Sequence, residues 1–394
     1  MRIALDYTAA IRQGAGIGQY VRSLVHAMLE QDAHNRYTLL TSGRATNEHP
    51  FPCAENVRGR NLMLSDRYLN ILWYRWHVPI LANYVTGPVD IYHGLDFVLP
   101  PLSKKIRKVV TIHDLAFLEH PETAFPTVAV YLNKVVPEAV TRADVVVAVS
   151  QTTKQSLITH YHTPAEKIVV IPCGVGPQFQ RVTDSVILEG IRSKFALQQP
   201  FIFCVGTLQP RKNHLGLIRA FHEMQQNKPN PLILVIAGDK GWMYEETQNL
   251  VKELKLEEKV RFLGRIGEHE LIVLYSLAEM FAYPSFIEGF GIPPLEAMAC
   301  GVPVITSNTS SLPEVAGDAA LLVDPHDVHS IADALRRVAE DTQLREDLRQ
   351  RGYRQAQRYT WSGAAAKMLA VYQRISQGIT TMRDEVLVGT FSES

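Results

Sequence analysis

The sequence is short of several things that a chain of 394 residues could carry. It has four cysteines, Cys53, Cys173, Cys204 and Cys300, and no C-x-x-C pair among them. That spacing argues against a disulfide framework or a zinc site. Cys204 and Cys300 stand among apolar or small residues, so reduced, buried thiols are expected. The chain also has no net charge, with forty basic residues against forty acidic ones. No basic stripe marks it for nucleic acid, so no nucleic-acid partner is expected and any anion site must be local. No run approaches the roughly eighteen apolar residues that a membrane span needs. Met1-Arg2-Ile3-Ala4-Leu5-Asp6 reads as an opening strand, not a signal peptide, and a cytoplasmic protein is the default. No D-x-D pair stands where it could hold a metal, because Asp90 and Asp96 are too far apart. No low-complexity tract interrupts the chain.

What is present is an alternation of two patterns. Short β-branched runs at 108–112, 143–149, 167–171, 201–205, 232–237 and 302–306 are bounded by turn residues. Runs with so little polar interruption suit a parallel sheet covered on both faces. Between them lie helical patterns, at 18–30, 128–141, 213–225 and 329–337. Alternating strand and helix predicts an α/β architecture with right-handed crossovers. The pattern occurs twice, and the length suits two domains. The expected division is a doubly wound domain at 1–176 and a second at 177–360, the latter opening with a connection and a short helix. A helix at 361–378 is expected to pack back on the first domain, followed by a loose tail at 379–394. Ligands of such sheets gather beyond the carboxyl ends of the strands, so a cleft between the domains is the expected site. The stretch 68–84, with Trp73 and Trp76, suits either a helix on the sheet or a contact with lipid headgroups.

Two clusters of the second half carry chemistry. The strand at 201–205 ends in Gly206-Thr207-Leu208-Gln209-Pro210-Arg211-Lys212-Asn213, and Asn213 is a good helix N-cap. Two cations just before a helix N-terminus make a site for a diphosphate, and in a transferase they would stabilise the leaving group. The run Phe286-Ile287-Glu288-Gly289-Phe290-Gly291-Ile292-Pro293-Pro294-Leu295-Glu296 follows Phe281-Ala282-Tyr283-Pro284-Ser285, which reads as a strand end. Its prolines suit a first helical turn, with Glu296 in or near it, and its glycines expose backbone amides. Glu288 and Glu296 can then face one pocket, one accepting from sugar hydroxyls and the other from ribose hydroxyls.

These motifs resemble the retaining glycosyltransferases of family 4, which have the two-domain GT-B fold of Rossmann-like domains. The stretches Gly301-Val302-Pro303-Val304-Ile305, Leu312-Pro313-Glu314-Val315 and Leu321-Leu322-Val323-Asp324-Pro325 are similar to it as well, and the likeness covers nearly the whole chain. The resemblance implies that Arg211 and Lys212 bind the diphosphate, Glu288 the donor sugar and Glu296 the ribose. It implies further that amides near Gly289, Phe290 and Gly291 approach the sugar and phosphates, that Gly206 belongs to the same loop, and that Gly264 and Arg265 border the base. In the first half, the loop Gly14-Ala15-Gly16-Ile17-Gly18 is similar to one that faces the donor phosphates. His113, at a strand end in Thr111-Ile112-His113-Asp114, is placed by the resemblance near the donor sugar, and His93 and Asp114 are acceptor-side candidates.

The implied reaction retains configuration by a same-face substitution, with Glu288, Arg211, Lys212 and His113 as the catalytic group, and needs no metal or cofactor. The stretches 111–114, 121–122 and 149–156 are similar to the branch that includes mannosyltransferases of bacterial surface polysaccharides. GDP-mannose is therefore expected ahead of UDP sugars, with a glycan or lipid-linked glycan as acceptor and a peripheral contact at the inner face of the membrane. A nucleotide-sugar epimerase of the same architecture, or a silent nucleotide-sugar or glycan-binding module, are the alternatives.

Overall fold

The computed structural model describes residues 1–14, 16–43, 50–62, 68, 82–227, 231–241 and 244–382. The aromatic pair Trp73 and Trp76, and the tail beyond 382, lie outside the described residues. Among the described residues, no helix is long and apolar enough to cross a membrane.

The chain divides into two compact units, Met1–Gly174 with Trp361–Ser394, and Val175–Thr360. The first is built on a seven-stranded sheet, β1 (Arg2–Asp6), β2 (Arg36–Ser42), β3 (Val57–Leu62), β4 (Ile91–Gly94), β5 (Arg107–Ile112), β6 (Val145–Ala148) and β7 (Ile168–Val170), in the order β3-β2-β1-β4-β5-β6-β7. Every pairing is parallel. The central strands are buried on both faces, as in Val145-Val146-Val147-Ala148, which is why they read as unbroken apolar runs. The helix Ile17–Gln31 buries Tyr20, Val21, Leu24, Val25 and Met28, a stripe at helical spacing. The helix Trp361–Ser376 buries Ala365, Met368, Val371, Tyr372 and Ile375 and packs on that helix. Gln31 donates to the Ser362 carbonyl at 3.0 Å across the pair.

The second unit has a six-stranded sheet, β8 (Phe201–Val205), β9 (Ile233–Ala237), β10 (Val260–Gly264), β11 (Met280–Tyr283), β12 (Val304–Ser307) and β13 (Ala320–Val323), in the order β10-β9-β8-β11-β12-β13. It too is parallel throughout. Phe203, Tyr275 and Phe281 meet edge to face or tilted, with ring centroids 5.2 to 6.1 Å apart, which fixes β8 against β11 from one side. In both sheets the chain runs outward in one direction and then returns to the other side of its first strand. The switch lies between β1 and β4 in the first unit and between β8 and β11 in the second. Loops that leave two such strands diverge, and the gap between them is where a ligand fits.

Candidate active site

The gap beyond β8 and β11 is filled by charge. The loop after β8 tightens into a 3₁₀ turn at Pro210–Lys212. Asn213, left-handed at φ 55°, then accepts from the Gly216 amide at 3.2 Å and donates to the Pro325 carbonyl at 2.7 Å. The Phe286 amide donates to the Arg211 carbonyl at 2.8 Å, which ties the loop after β11 to the loop after β8. Close approach at the sheet end demands a small residue in the adjoining loop. A Cβ on Gly238, at φ 154°, would stand 2.0 Å from the Gly206 carbonyl oxygen.

These constraints bring Arg211, Lys212 and Glu288 together. Arg211 Nη1 donates to Glu288 Oε2 at 3.0 Å, and Lys212 Nζ donates to Glu288 Oε1 at 2.6 Å. Tyr283, the last residue of β11, donates its hydroxyl to Glu288 Oε1 at 2.9 Å and accepts from Lys212 Nζ at 2.5 Å. The Glu288 side chain is 7% exposed and that of Lys212 10%. Burial pushes the Glu288 carboxyl up, but Arg211 and Lys212 beside it more than offset this and hold it down at about 2. Burial first, and then Arg211, lower the Lys212 ammonium to about 8 against the pull of Glu288. Next to it, burial and then Lys212 lower His214 to about 4, and its Nε2 is buried with no hydrogen-bond partner. The cluster is one anion between two cations at a switch point. It can meet a polyanion with the cations and hydroxyl groups with the carboxylate.

Glu288 is fixed through its main chain as well. Its amide donates to Ser310 Oγ at 3.1 Å, and Ser311 Oγ donates to its carbonyl and to that of Phe290, both at 2.8 Å. Gly289 lies between them, half-buried, while the Phe290 ring is buried edge-on against Tyr359 at 5.6 Å. Gly291 is the N-cap of the helix Ile292–Ala299, so the amides that follow it lie at the positive end of that helix. Glu296 is the fifth residue of this helix, directly after its first turn. It is buried, and Tyr275 donates to its Oε2 at 3.4 Å. Gly264 ends the edge strand β10, two strands from β8 and so roughly 10 Å across the sheet. Its carbonyl accepts from the Gly238 amide at 2.8 Å, and Arg265 beside it is exposed.

In the first unit the candidates separate. Gly16 is the N-cap of the helix Ile17–Gln31, and Arg22 reaches back to donate to the carbonyls of Ala10, Gln13 and Gly14 at 2.6 to 2.8 Å. Gly18 sits under that loop, where a Cβ would stand 2.0 Å from the Gln13 carbonyl oxygen. His113 follows β5 and is wedged edge-on against Tyr20 and Phe97. Its Nε2 donates to the Leu95 carbonyl at 2.9 Å, so the neutral ring keeps Nδ1 as an acceptor, and burial holds its pKa below the usual range. His93 behaves differently. It is fully buried in β4, with Nδ1 2.6 Å from the Tyr372 hydroxyl and Nε2 2.8 Å from Thr111 Oγ1. Burial, and then His113, lower its pKa to about 3. Both ring nitrogens are committed inside the unit, which removes His93 from the acceptor-side candidates. Asp114 accepts from the Ala116 amide at 3.0 Å, two residues on, just before a short helix.

Two features, one in each unit, lie outside the motifs read from the sequence. Tyr283 looked like a strand residue, and its position five before Glu288 was the available sign. Asp96, half-buried near Asp6 and Asp114, was considered only as a metal ligand. Burial, and then the charges of those two neighbours, raise it to about 7. Among the described residues, no group of three or more His, Cys, Asp or Glu side chains is placed to hold a metal ion.

Comparison with known proteins bears on the fold and the family. The family model described as Glycosyltransferase Family 4 matches residues 14–179, and the model described as Glycosyl transferases group 1 matches residues 190–355. The O-antigen chain mannosyltransferase B of Escherichia coli is 33% identical over 72% of this chain and 74% of its own length. The serotype-specific mannosyltransferase WbdA of Escherichia coli is 30% identical over 63% of this chain, a match that spans only 30% of that longer protein. A solved structure of sucrose-phosphate synthase from Thermosynechococcus elongatus superimposes with a TM-score of 0.77 at 21% identity, covering 96% of this chain and 100% of that one. The two parallel-sheet units are those of the GT-B fold, and the chain belongs to the glycosyltransferases of group 1 and family 4.

Proposed function

We propose that this glycosyltransferase moves mannose from GDP-mannose, ahead of UDP sugars, to a glycan or lipid-linked glycan acceptor of surface polysaccharide synthesis, with retention of configuration. The observation that carries the donor half is the Arg211–Glu288–Lys212 cluster at the switch point of the second unit. The mannosyltransferase relative, similar over nearly three quarters of both chains, supports the choice of sugar. In this reading Arg211 and Lys212 take the diphosphate, Glu288 turns to the sugar hydroxyls, and Glu296 holds the ribose. Amides at Gly291 and its neighbours lie at a helix N-terminus that favours phosphate. His113 offers Nδ1 to a sugar hydroxyl. In this reading Glu288 and Glu296 serve different parts of the donor and do not flank one bond as a nucleophile and an acid would, so the acceptor proton passes to a donor phosphate oxygen as the diphosphate leaves. No metal takes part, and activity survives a chelator.

The test is to incubate the protein with GDP-mannose, with UDP sugars and with a mannan or polyprenyl-linked acceptor, and to follow nucleoside diphosphate release and product linkage. An α-linked mannoside is expected. A β-linked product, or faster turnover with a UDP sugar, would sink the reading, and donor conversion without any acceptor would favour the epimerase. Glu288→Ala and Lys212→Ala are each expected to cut turnover by about a hundredfold or more. Flotation with anionic vesicles tests the peripheral membrane contact.

A further inference from the structure

We infer that Glu288, set in place by Tyr283, is a built-in competitor for the diphosphate position, one that admits a loaded donor and ejects the spent nucleoside diphosphate. The inference rests on the reading that Arg211 and Lys212 form the diphosphate clamp. Its basis is that both cations turn onto one carboxylate. Arg211 Nη1 and Lys212 Nζ point at different oxygens of one carboxylate, 3.0 and 2.6 Å away. That two-point grip is the one the same cations would offer to adjacent phosphate oxygens. Tyr283 holds the carboxylate there, donating to Oε1 at 2.9 Å while it also contacts Lys212. Its hydroxyl is buried at the end of β11, so the carboxylate is aimed by the sheet and not by a mobile surface chain.

The consequence follows from counting charge. With Glu288 in place the cluster carries a net charge of one, and an incoming diphosphate must displace or lie beside a carboxylate. A nucleotide sugar offsets that cost, because its hydroxyls give the displaced Glu288 new donors. A nucleoside diphosphate does not, and it leaves two anions facing each other. The carboxylate therefore discriminates against product and promotes its release, and Tyr283 acts as a positioning residue for that step.

The experiment measures binding of inorganic pyrophosphate and of GDP to the full chain by titration calorimetry. Wild type is compared with Glu288→Gln, Tyr283→Phe and Lys212→Ala, and each variant's fold is checked by circular dichroism. Glu288→Gln keeps the size and removes the charge, so it should bind pyrophosphate and GDP at least about tenfold more tightly while losing turnover. Tyr283→Phe should tighten both severalfold and become more sensitive to product inhibition, a change that a merely structural tyrosine would not produce. If Glu288→Gln does not fold, Tyr283→Phe decides alone. Unchanged or weaker binding in the folded variants overturns the inference. If Lys212→Ala leaves pyrophosphate affinity untouched, the clamp reading itself has failed. If Lys212→Ala weakens binding but neither other variant tightens it, the clamp stands and only the competitor role falls.

Discussion

Lys212 holds its charge under tension. Burial and Arg211 work against the proton, Glu288 works for it, and the balance leaves the ammonium at about 8. The sign for ligand binding follows. Below that value the clamp has both cations, and above it Lys212 is neutral, so an anion that needs it binds more weakly. GDP or pyrophosphate affinity should fall as pH rises through about 8, by up to about tenfold per pH unit. Lys212→Arg should flatten the profile, because a guanidinium stays charged throughout that range. Calorimetry from pH 7 to 10 checks this, and a flat profile in wild type would contradict it. The same cluster shows how far residue-level reading reaches. Arg211, Lys212 and Glu288 were legible as neighbours because the loops that carry them leave the adjacent strands β8 and β11. Tyr283 was not, because an aromatic at a strand end is ordinary core until its hydroxyl is seen to hold Glu288. His93 misled for the converse reason: a polar residue at a strand end looks functional, and only the Tyr372 and Thr111 hydroxyls show it to be saturated.

Burial on both faces made several strands legible. The runs that became β5, β6, β8 and β9 stood out because both sheet faces are covered. The edge strand β3, Val57-Arg58-Gly59-Arg60-Asn61-Leu62, is largely exposed and left no pattern. The helix Thr342–Ala356 shows no apolar stripe, because little of it is buried beyond Leu348, Gly352, Gln355 and Ala356. At this scale the test concerns how the sheet end is closed. Gly238→Ala forces a Cβ against the Gly206 carbonyl and should cost about 2–4 kcal/mol of unfolding free energy in urea, with loss of pyrophosphate binding. Gly264→Ala meets nothing within 4 Å and carries only the cost of its positive φ, about 1 kcal/mol. Equal effects would mean that close approach of the β8 and β9 loops is not what Gly238 supplies.

For the molecule as a whole, the doubled α/β pattern and the ordered motifs made the fold and family readable. The sugar, the base and the acceptor are not encoded in any spacing, because hydroxyl recognition is spread over side chains that periodicity does not order. The units are unequal in their wiring. The second is one continuous stretch, Val175–Thr360, while the first is completed only by residues from Trp361 onward. A fragment covering 175–360 should therefore fold and bind pyrophosphate by itself. A chain ending at 360 should keep that binding but lose cooperative melting of the first unit, since the helix Ile17–Gln31 loses the buried face of Met368, Val371, Tyr372 and Ile375. Differential scanning calorimetry with hydrogen exchange on both constructions would show it, and an intact first unit in the shortened chain would refute it. This wiring also sets an order of events on the ribosome. The first unit emerges early yet cannot be finished, and His93 waits without the Tyr372 hydroxyl while the whole second unit is made. At cellular elongation rates that wait is on the order of ten to forty seconds. During it the incomplete sheet is the surface most in need of a chaperone, and the second unit is already closed before its neighbour is.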